Sequence, residues 1–260
     1  MPELPEVESY RRLAEFAALG RRIGAVHAPD GWYLKRGVDA AALAVLVGDG
    51  FVAARRRGKL LMLDTAAGPT LGLRFGMSGR LVVDGVAGVD ALLYSSNAEL
   101  ARFERFAISF ADGGRLSMRD PRRLGGVELD PDEERLGPDA LTVGAAGLRD
   151  ALARSDAPLK ARLLDQSKVA GIGNLIADET LWRASLDPVR PAGSLDEAEV
   201  KRLARVLRRT ITDLIERGGS HTGDLLAARM PGGRCPRDGA ELIRRTVGGR
   251  TTWSCPEHQR

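Results

Sequence analysis

The spacing of apolar residues changes character once along this chain, near residue 130, and that change limits the folds open to it. From Arg22 to about Leu129, short apolar runs at 51–54, 60–63, 71–75, 81–83 and 106–110 are broken by Gly58, Gly68-Pro69, Gly79 and Asp112-Gly113-Gly114. Such punctuation suits antiparallel strands joined by tight turns. Beyond residue 145 the period is helical. It is clearest over 195–217, where Leu203, Val206, Leu207, Ile211, Leu214 and Ile215 share one face. Arg202, Arg205, Arg208 and Arg209 take the other face as a solvated surface, Ser194 and Glu197 read as a capping box, and Gly218-Gly219 ends the helix.

These signals predict an α+β protein. Residues 5–19 form an amphipathic helix with Val7, Tyr10, Leu13, Ala14 and Ala17 inward and Gly20 as its stop, and a short helix is expected over 38–47. The expected organisation is an N-terminal β-sandwich or barrel-like domain with flanking helices over 1–130, then a polar, proline-containing linker over 131–145. A helical domain follows over 146–228, and a small Gly- and Pro-punctuated module over 229–260. At 260 residues this fills two modest domains. No run of eighteen apolar residues exists, and Glu3, Glu6 and Glu8 are unlike a signal peptide, so a cytoplasmic protein is expected.

Net charge is +4, a mild basic bias of the kind that suits a polyanion partner. Only five of the 39 basic side chains are lysines, at 35, 59, 160, 168 and 201. Arginine makes bidentate phosphate contacts that lysine does not, although a GC-rich genome enriches it equally. Aromatic residues at 5% argue against a serial base-stacking surface for single strands.

Four segments carry chemistry. The chain opens Met1-Pro2-Glu3-Leu4-Pro5-Glu6. Without Met1, Pro2 offers a secondary amine whose pKa of roughly 7.7–8.0, against about 10.4 for lysine, leaves far more neutral nucleophile at pH 7. Attack on a sugar carbon gives a cationic iminium, and Glu3 supplies a general acid beside it. The plainer reading is a small second residue followed by a helix-opening Pro5. Lys59, after Arg57-Gly58, is either a reaching cation or an edge-strand lysine that deters aggregation. Gly76-Met77-Ser78-Gly79 and Asp120-Pro121-Arg122-Arg123-Leu124-Gly125-Gly126 place Met77, Arg122 and Leu124 on turns, either as wedges for an opened duplex or tucked into the core. Leu164 to Leu175 runs through Gly171-Ile172-Gly173-Asn174 into a helix; this is either a common glycine turn or, with Lys160 and Lys168 nearby, a helix N-terminus that suits a phosphate, Asn174 capping and donating together. Finally, Cys235, Asp238, Cys255 and His258 follow C-x2-D-x16-C-x2-H. That spacing suits a tetrahedral zinc site on a hairpin, with a disulfide or a hairpin held by packing as the alternatives.

These motifs, in this order and over nearly the whole length, resemble the formamidopyrimidine-DNA glycosylase / endonuclease VIII family of bifunctional DNA glycosylase/AP lyases. The resemblance implies a helix–two-turns–helix in the helical domain and a zinc finger in the tail. It implies Pro2 as Schiff-base nucleophile, Glu3 as acid, Lys59 on phosphate during β-elimination, and Arg250 on phosphates during δ-elimination. It also implies Lys160, Gly173 and Asn174 clamping the backbone, and Met77, Arg122 and Leu124 filling the void of an extruded base. The implied partner is double-stranded DNA with damaged bases or abasic sites, met by a monomer with no membrane attachment.

The departures are specific. Asp238 and His258 stand where the family usually has cysteines, Leu124 where it has a phenylalanine wedge, and Arg102-Phe103 where the formamidopyrimidine branch has a lysine-histidine pair. The opening sequence points to that branch, whereas the short segment 218–234 has little room for a loop capping 8-oxoguanine and points to the endonuclease VIII branch. Oxidised pyrimidines and oxidised purines both stand as substrates. Two rival readings are a damaged-DNA binder that has lost catalysis and a zinc-ribbon nucleic-acid module fused to an unrelated β-domain. Neither uses the first six residues.

Overall fold

The computed structural model describes residues 2–89, 92 and 101–260, so Met1 lies outside the described residues. The chain forms two units, one of residues 1–2 and 6–133, the other of 3–5 and 134–260.

In the first unit the alternation of apolar residues becomes two antiparallel sheets. The strands are β1 (Ile23–His27), β2 (Phe51–Arg57), β3 (Leu60–Thr65), β4 (Leu71–Arg74), β5 (Arg80–Val83), β6 (Val86–Ala87), β7 (Glu104–Phe110), β8 (Arg115–Arg119) and β9 (Gly126–Leu129). One sheet has the order β1-β7-β8-β5-β6 and the other β2-β3-β4-β9. Helix α1 (Leu4–Ala17) places Val7, Tyr10 and Ala14 in the same core as Phe51, Leu61, Leu73, Phe106 and Met118. Pro5 lies in its first turn, where the missing N–H is not needed. The helix expected over 38–47 is a 3-10 turn at Ala42–Leu46. The α+β expectation holds; four of the five strands announced by apolar runs exceed those runs by up to three residues, and β4 stops one residue short of its run.

The second unit contains α2 (Ala145–Leu152), α3 (Leu159–Leu164), α4 (Asn174–Ala184), α5 (Glu197–Glu216) and a hairpin of β10 (Ile243–Val247) and β11 (Arg250–Ser254). Val200, Leu203, Leu207, Ile211 and Leu214 of α5 pack with Ile176 and Leu181 of α4 and with Leu148 and Leu163. Ala140 and Val143 are buried in that core too. A separate small core joins Trp182, Leu225, Leu242 and Trp253 to the two cysteines. One local expectation is corrected. The capping box of α5 is Asp196 with Glu199, each side chain on the other's backbone N–H, rather than Ser194 with Glu197. The Ser194 hydroxyl is engaged upstream, donating to the Pro191 carbonyl, while Arg190 forks onto Glu199 and fixes it for the box. No helix among the described residues is long and apolar enough to cross a membrane.

Candidate nucleic-acid and catalytic site

In the first unit, Pro2 is buried and Lys59 sits half-buried in the two-residue turn between β2 and β3. Gly58 takes φ +58°, a left-handed turn conformation that Gly adopts at no steric cost. Two residues not foreseen from the sequence hold this turn. Arg56 donates to the Gly58 carbonyl (2.9 Å) and to Glu8 on α1 (3.2 Å). Burial raises the Glu8 carboxyl, but the guanidiniums of Arg11, Arg12 and Arg56 outweigh that and hold it below its usual range. The cation at 59 is therefore carried on a turn fixed from behind.

The two loops expected to enter DNA lie against each other, and buried Asp120 is the clasp. It accepts the Ser78 hydroxyl, the Arg122 amide (3.2 Å) and the Gly125 amide (2.8 Å). A Cβ on Gly76 would meet the Leu124 backbone at 2.3 Å, so only glycine permits this approach. Tyr10 donates to the Gly79 carbonyl (3.2 Å) and stacks on Phe75 at 4.4 Å, which pins the Met77 turn to α1. Leu124 is 52% exposed, which removes the reading that it tucks into the core, and Met77 is half-buried. Arg122 is exposed, whereas Arg123 is committed to Asp30 by two bonds of 2.6 Å. Arg102 stacks over the Phe103 ring at 5.1 Å.

In the second unit, Glu3 is fully buried, and its two oxygens accept the amides of Leu175 (3.0 Å) and Ile176 (3.1 Å) at the start of α4. A carboxylate here meets both free N–H groups and the positive end of the helix dipole. Asn174 was expected to cap this helix. It does not: Asn174 is the first residue of the helix, one past the N-cap Gly173, and Glu3 accepts the amides of Leu175 and Ile176. The Asn174 side chain makes no hydrogen bond among the described residues, and its carbonyl oxygen is buried without a partner. Gly173 serves this arrangement as well, since a Cβ there would fall 2.1–2.5 Å from the Glu3 carboxyl group. Gln166 holds the preceding loop, donating to the Leu164 and Ile172 carbonyls and accepting the Gly171 amide.

Lys160 requires a second correction. Expected as a phosphate clamp, it is wholly buried and its ammonium is spoken for. Asp178 lies at 2.7 Å, and the ammonium donates to Thr252 Oγ1 (2.7 Å) and the Thr251 carbonyl (3.2 Å). Burial lowers its pKa, with the Asp178 carboxylate opposing the shift. Arg250, by contrast, is exposed at the first position of β11, directly after the Gly248-Gly249 turn.

The candidate ligand atoms of Cys235, Asp238, Cys255 and His258 all lie within 4.8 Å of one another, and the cysteines form no disulfide. Their surroundings fit a cation. Cys235 Sγ accepts the Trp182 indole N–H (3.2 Å) and the Arg237 amide (3.4 Å), which hold the sulfur in place. His258 Nε2 faces the Trp182 carbonyl at 3.3 Å, the kind of outer partner that fixes a ligating tautomer. Its Nδ1 then stands 2.6 Å from Asp238 Oδ2, a separation that needs a proton or a metal ion to be favourable. His258 holds the Asp238 carboxyl well below the usual range. Burial pushes the Cys255 thiol up to about 11, a proton that a bound cation would displace.

Comparison with known proteins identifies the family. A family model described as the formamidopyrimidine-DNA glycosylase N-terminal domain matches residues 1–127, and one described as the H2TH domain of that glycosylase matches residues 136–225. The chain is 36% identical over 288 aligned positions to a formamidopyrimidine-DNA glycosylase of Cereibacter sphaeroides, covering all of both chains. It is 35% identical to that of Thermus thermophilus, covering all of this chain and 98% of the relative. A solved complex of Lactococcus lactis Fpg with abasic-site DNA matches with a TM-score of 0.83 at 26% identity over the full length of both. The chain belongs to the formamidopyrimidine-DNA glycosylase family.

Proposed function

We propose that this protein is a base-excision-repair DNA glycosylase with an associated AP lyase activity, acting on oxidised bases in duplex DNA. The observation that carries the reading is the chain's start: a secondary amine at Pro2 is followed by a fully buried carboxyl group, Glu3, held on two backbone amides. A protein that only binds DNA has no use for either.

Removal of Met1 frees the Pro2 nitrogen. The neutral amine attacks C1′ of the damaged nucleotide, and the bond to the base breaks with its electron pair leaving on the base. The proton left on the Pro2 nitrogen after attack passes to the departing base, and Glu3, when protonated, gives its own proton to the ring oxygen as the sugar opens to the iminium. The amides of Leu175 and Ile176 stabilise the carboxylate left behind, which is stabilisation that grows as the reaction proceeds. β-Elimination then removes a C2′ proton and expels the 3′ phosphate, with Lys59 neutralising phosphate charge. δ-Elimination passes the C4′ proton to solvent and expels the 5′ phosphate, with Arg250 as the neutralising cation. Met77, Arg122 and Leu124, on the two clasped loops, occupy the space an extruded base leaves. Leu124 fills that space without the stacking an aromatic wedge adds.

The cation that Cys235, Asp238, Cys255 and His258 would hold is zinc, by donor type and by the closed four-ligand set, and its role is structural. The segment after α5 is short and fixed. Glu179 accepts the amides of Asp224 (3.1 Å) and Leu225 (2.9 Å), and 3-10 turns occupy Ser220–Thr222 and Leu226–Ala228. A panel of duplexes carrying single oxidised purines, oxidised pyrimidines or abasic sites, scored separately for base loss and strand scission, tests the function. Base loss from at least one oxidised lesion is expected, and the panel assigns the lesion class. Binding without base loss or scission on every member would leave a damaged-DNA binder instead.

A further inference from the structure

Within the second unit, β11 belongs to a two-stranded hairpin, an element that is marginal without external support. The four candidate metal ligands gather its far end, since Cys255 directly follows the strand. Arg250 stands at the opposite end of the strand and is held by different means.

Three consecutive residues after Arg250 are each bonded to one buried charge network. Lys160 on α3 donates to the Thr251 carbonyl and to Thr252 Oγ1, and the Thr252 hydroxyl donates in turn to the Arg250 carbonyl (3.1 Å). Asp178 on α4 pairs through one oxygen with Lys160 (2.7 Å). Its other oxygen takes Arg229 Nη2 (2.7 Å) and Nε (3.1 Å) and faces the Trp253 amide at 3.4 Å. Lys160, Asp178 and Thr252 are fully or almost fully buried. The glycine turn before Arg250 rests on the same helix as Lys160, because a Cβ on Gly248 would meet Ala161 at 3.0 Å.

A buried ion pair is a poor device for stability alone, because desolvation consumes most of its attraction. Its directional value is greater: two point charges and a fork of guanidinium donors fix one register of the strand. We infer that Asp178, with Lys160 and Arg229, is a positioning centre that sets the Arg250 guanidinium for the δ-elimination step. This inference rests on the proposed lyase function.

The test uses the full-length, metal-loaded protein on abasic-site duplex under single turnover, resolving β- from β,δ-elimination products. Removing Asp178 strands both cations, so the informative variant is the triple apolar replacement Lys160→Met/Asp178→Leu/Arg229→Met, accompanied by Asp178→Glu. The triple variant is expected to keep its melting temperature and zinc content. Its δ-elimination should slow on the order of tenfold to a hundredfold, as misplacement of a catalytic group does. Adduct trapping and β-elimination should stay within about twofold. Asp178→Glu is expected to recover part of the δ-elimination rate. An unchanged product ratio in the folded triple variant would overturn the inference, as would a parallel fall of every step. A wild-type protein that traps no adduct would remove the lyase reading itself, a result distinguishable from either.

Discussion

Helices α4 and α5 lie in the same unit and are built on opposite principles. α5 is self-sufficient: its capping box comes from its own Asp196 and Glu199, its apolar residues fall on one stripe, and Arg205, Arg208 and Arg209 face solvent. α4 is buried on nearly every side, yet it carries Asp178 and Glu179 inside and takes its cap from Glu3, 172 positions earlier. Its buried acids draw their partners mainly from other segments: Lys160 and Arg229 for Asp178, and the Asp224 and Leu225 amides for Glu179, which also pairs with Arg183 one turn on in α4 itself. A helix that explains itself locally is scaffold. One whose polar groups are satisfied mainly from afar is where the fold assembles its chemistry.

The largest effect should come from the remote cap of α4. Glu3→Gln is expected to lower base excision by about a hundredfold or more, the contribution of a general acid, while lesion-duplex binding persists; excision kinetics beside a binding titration check it. Next, Asp178→Ala strands Lys160 and Arg229 without their counter-charge and should cost about 3–5 kcal/mol in denaturant unfolding. The self-made cap of α5 is worth less: Asp196→Ala should cost about 1 kcal/mol. A result equal to that of Asp178→Ala would erase the contrast between the helices.

The smallest effect is a pH-dependent one. Arg190, hydrogen-bonded to Glu199, holds that carboxyl below its usual range. The folded form therefore binds a proton less readily than the unfolded chain. The stabilisation is present above the unfolded carboxyl's pKa of about 4.3 and is lost as pH falls through the lower folded value. Arg190→Ala should cost under about 1 kcal/mol at pH 7, as partly exposed pairs do, and the difference from wild type should shrink in strong acid to what the bonds to Ser194 contribute.

The same contrast explains what the sequence disclosed. The strands, α5 and the metal spacing were legible because their signals are local: alternation, glycine punctuation and C-x2-D-x16-C-x2-H. Even there, Ser194-Leu195-Asp196-Glu197-Ala198-Glu199 contains two overlapping capping-box patterns, and only the fork from Arg190 decides between them. The first six residues were legible as chemistry but not as structure. Nothing near Gly173 signals that its missing Cβ makes room for Glu3 rather than for a phosphate. Lys160 reads as a surface cation until Asp178 is found beside it. Asp120, the clasp of the two loops, reads only as a turn-starting Asp-Pro, because its partner Ser78 lies 42 residues away.

The central claim is that the Pro2 nitrogen bonds covalently to the lesion-bearing sugar. Borohydride reduction of the protein on abasic-site duplex, followed by mass spectrometric mapping of the adduct, tests it directly. The account predicts a single cross-link on the N-terminal peptide, carried by Pro2 with Met1 absent. An adduct on a lysine, or active protein with Met1 still attached, would contradict it.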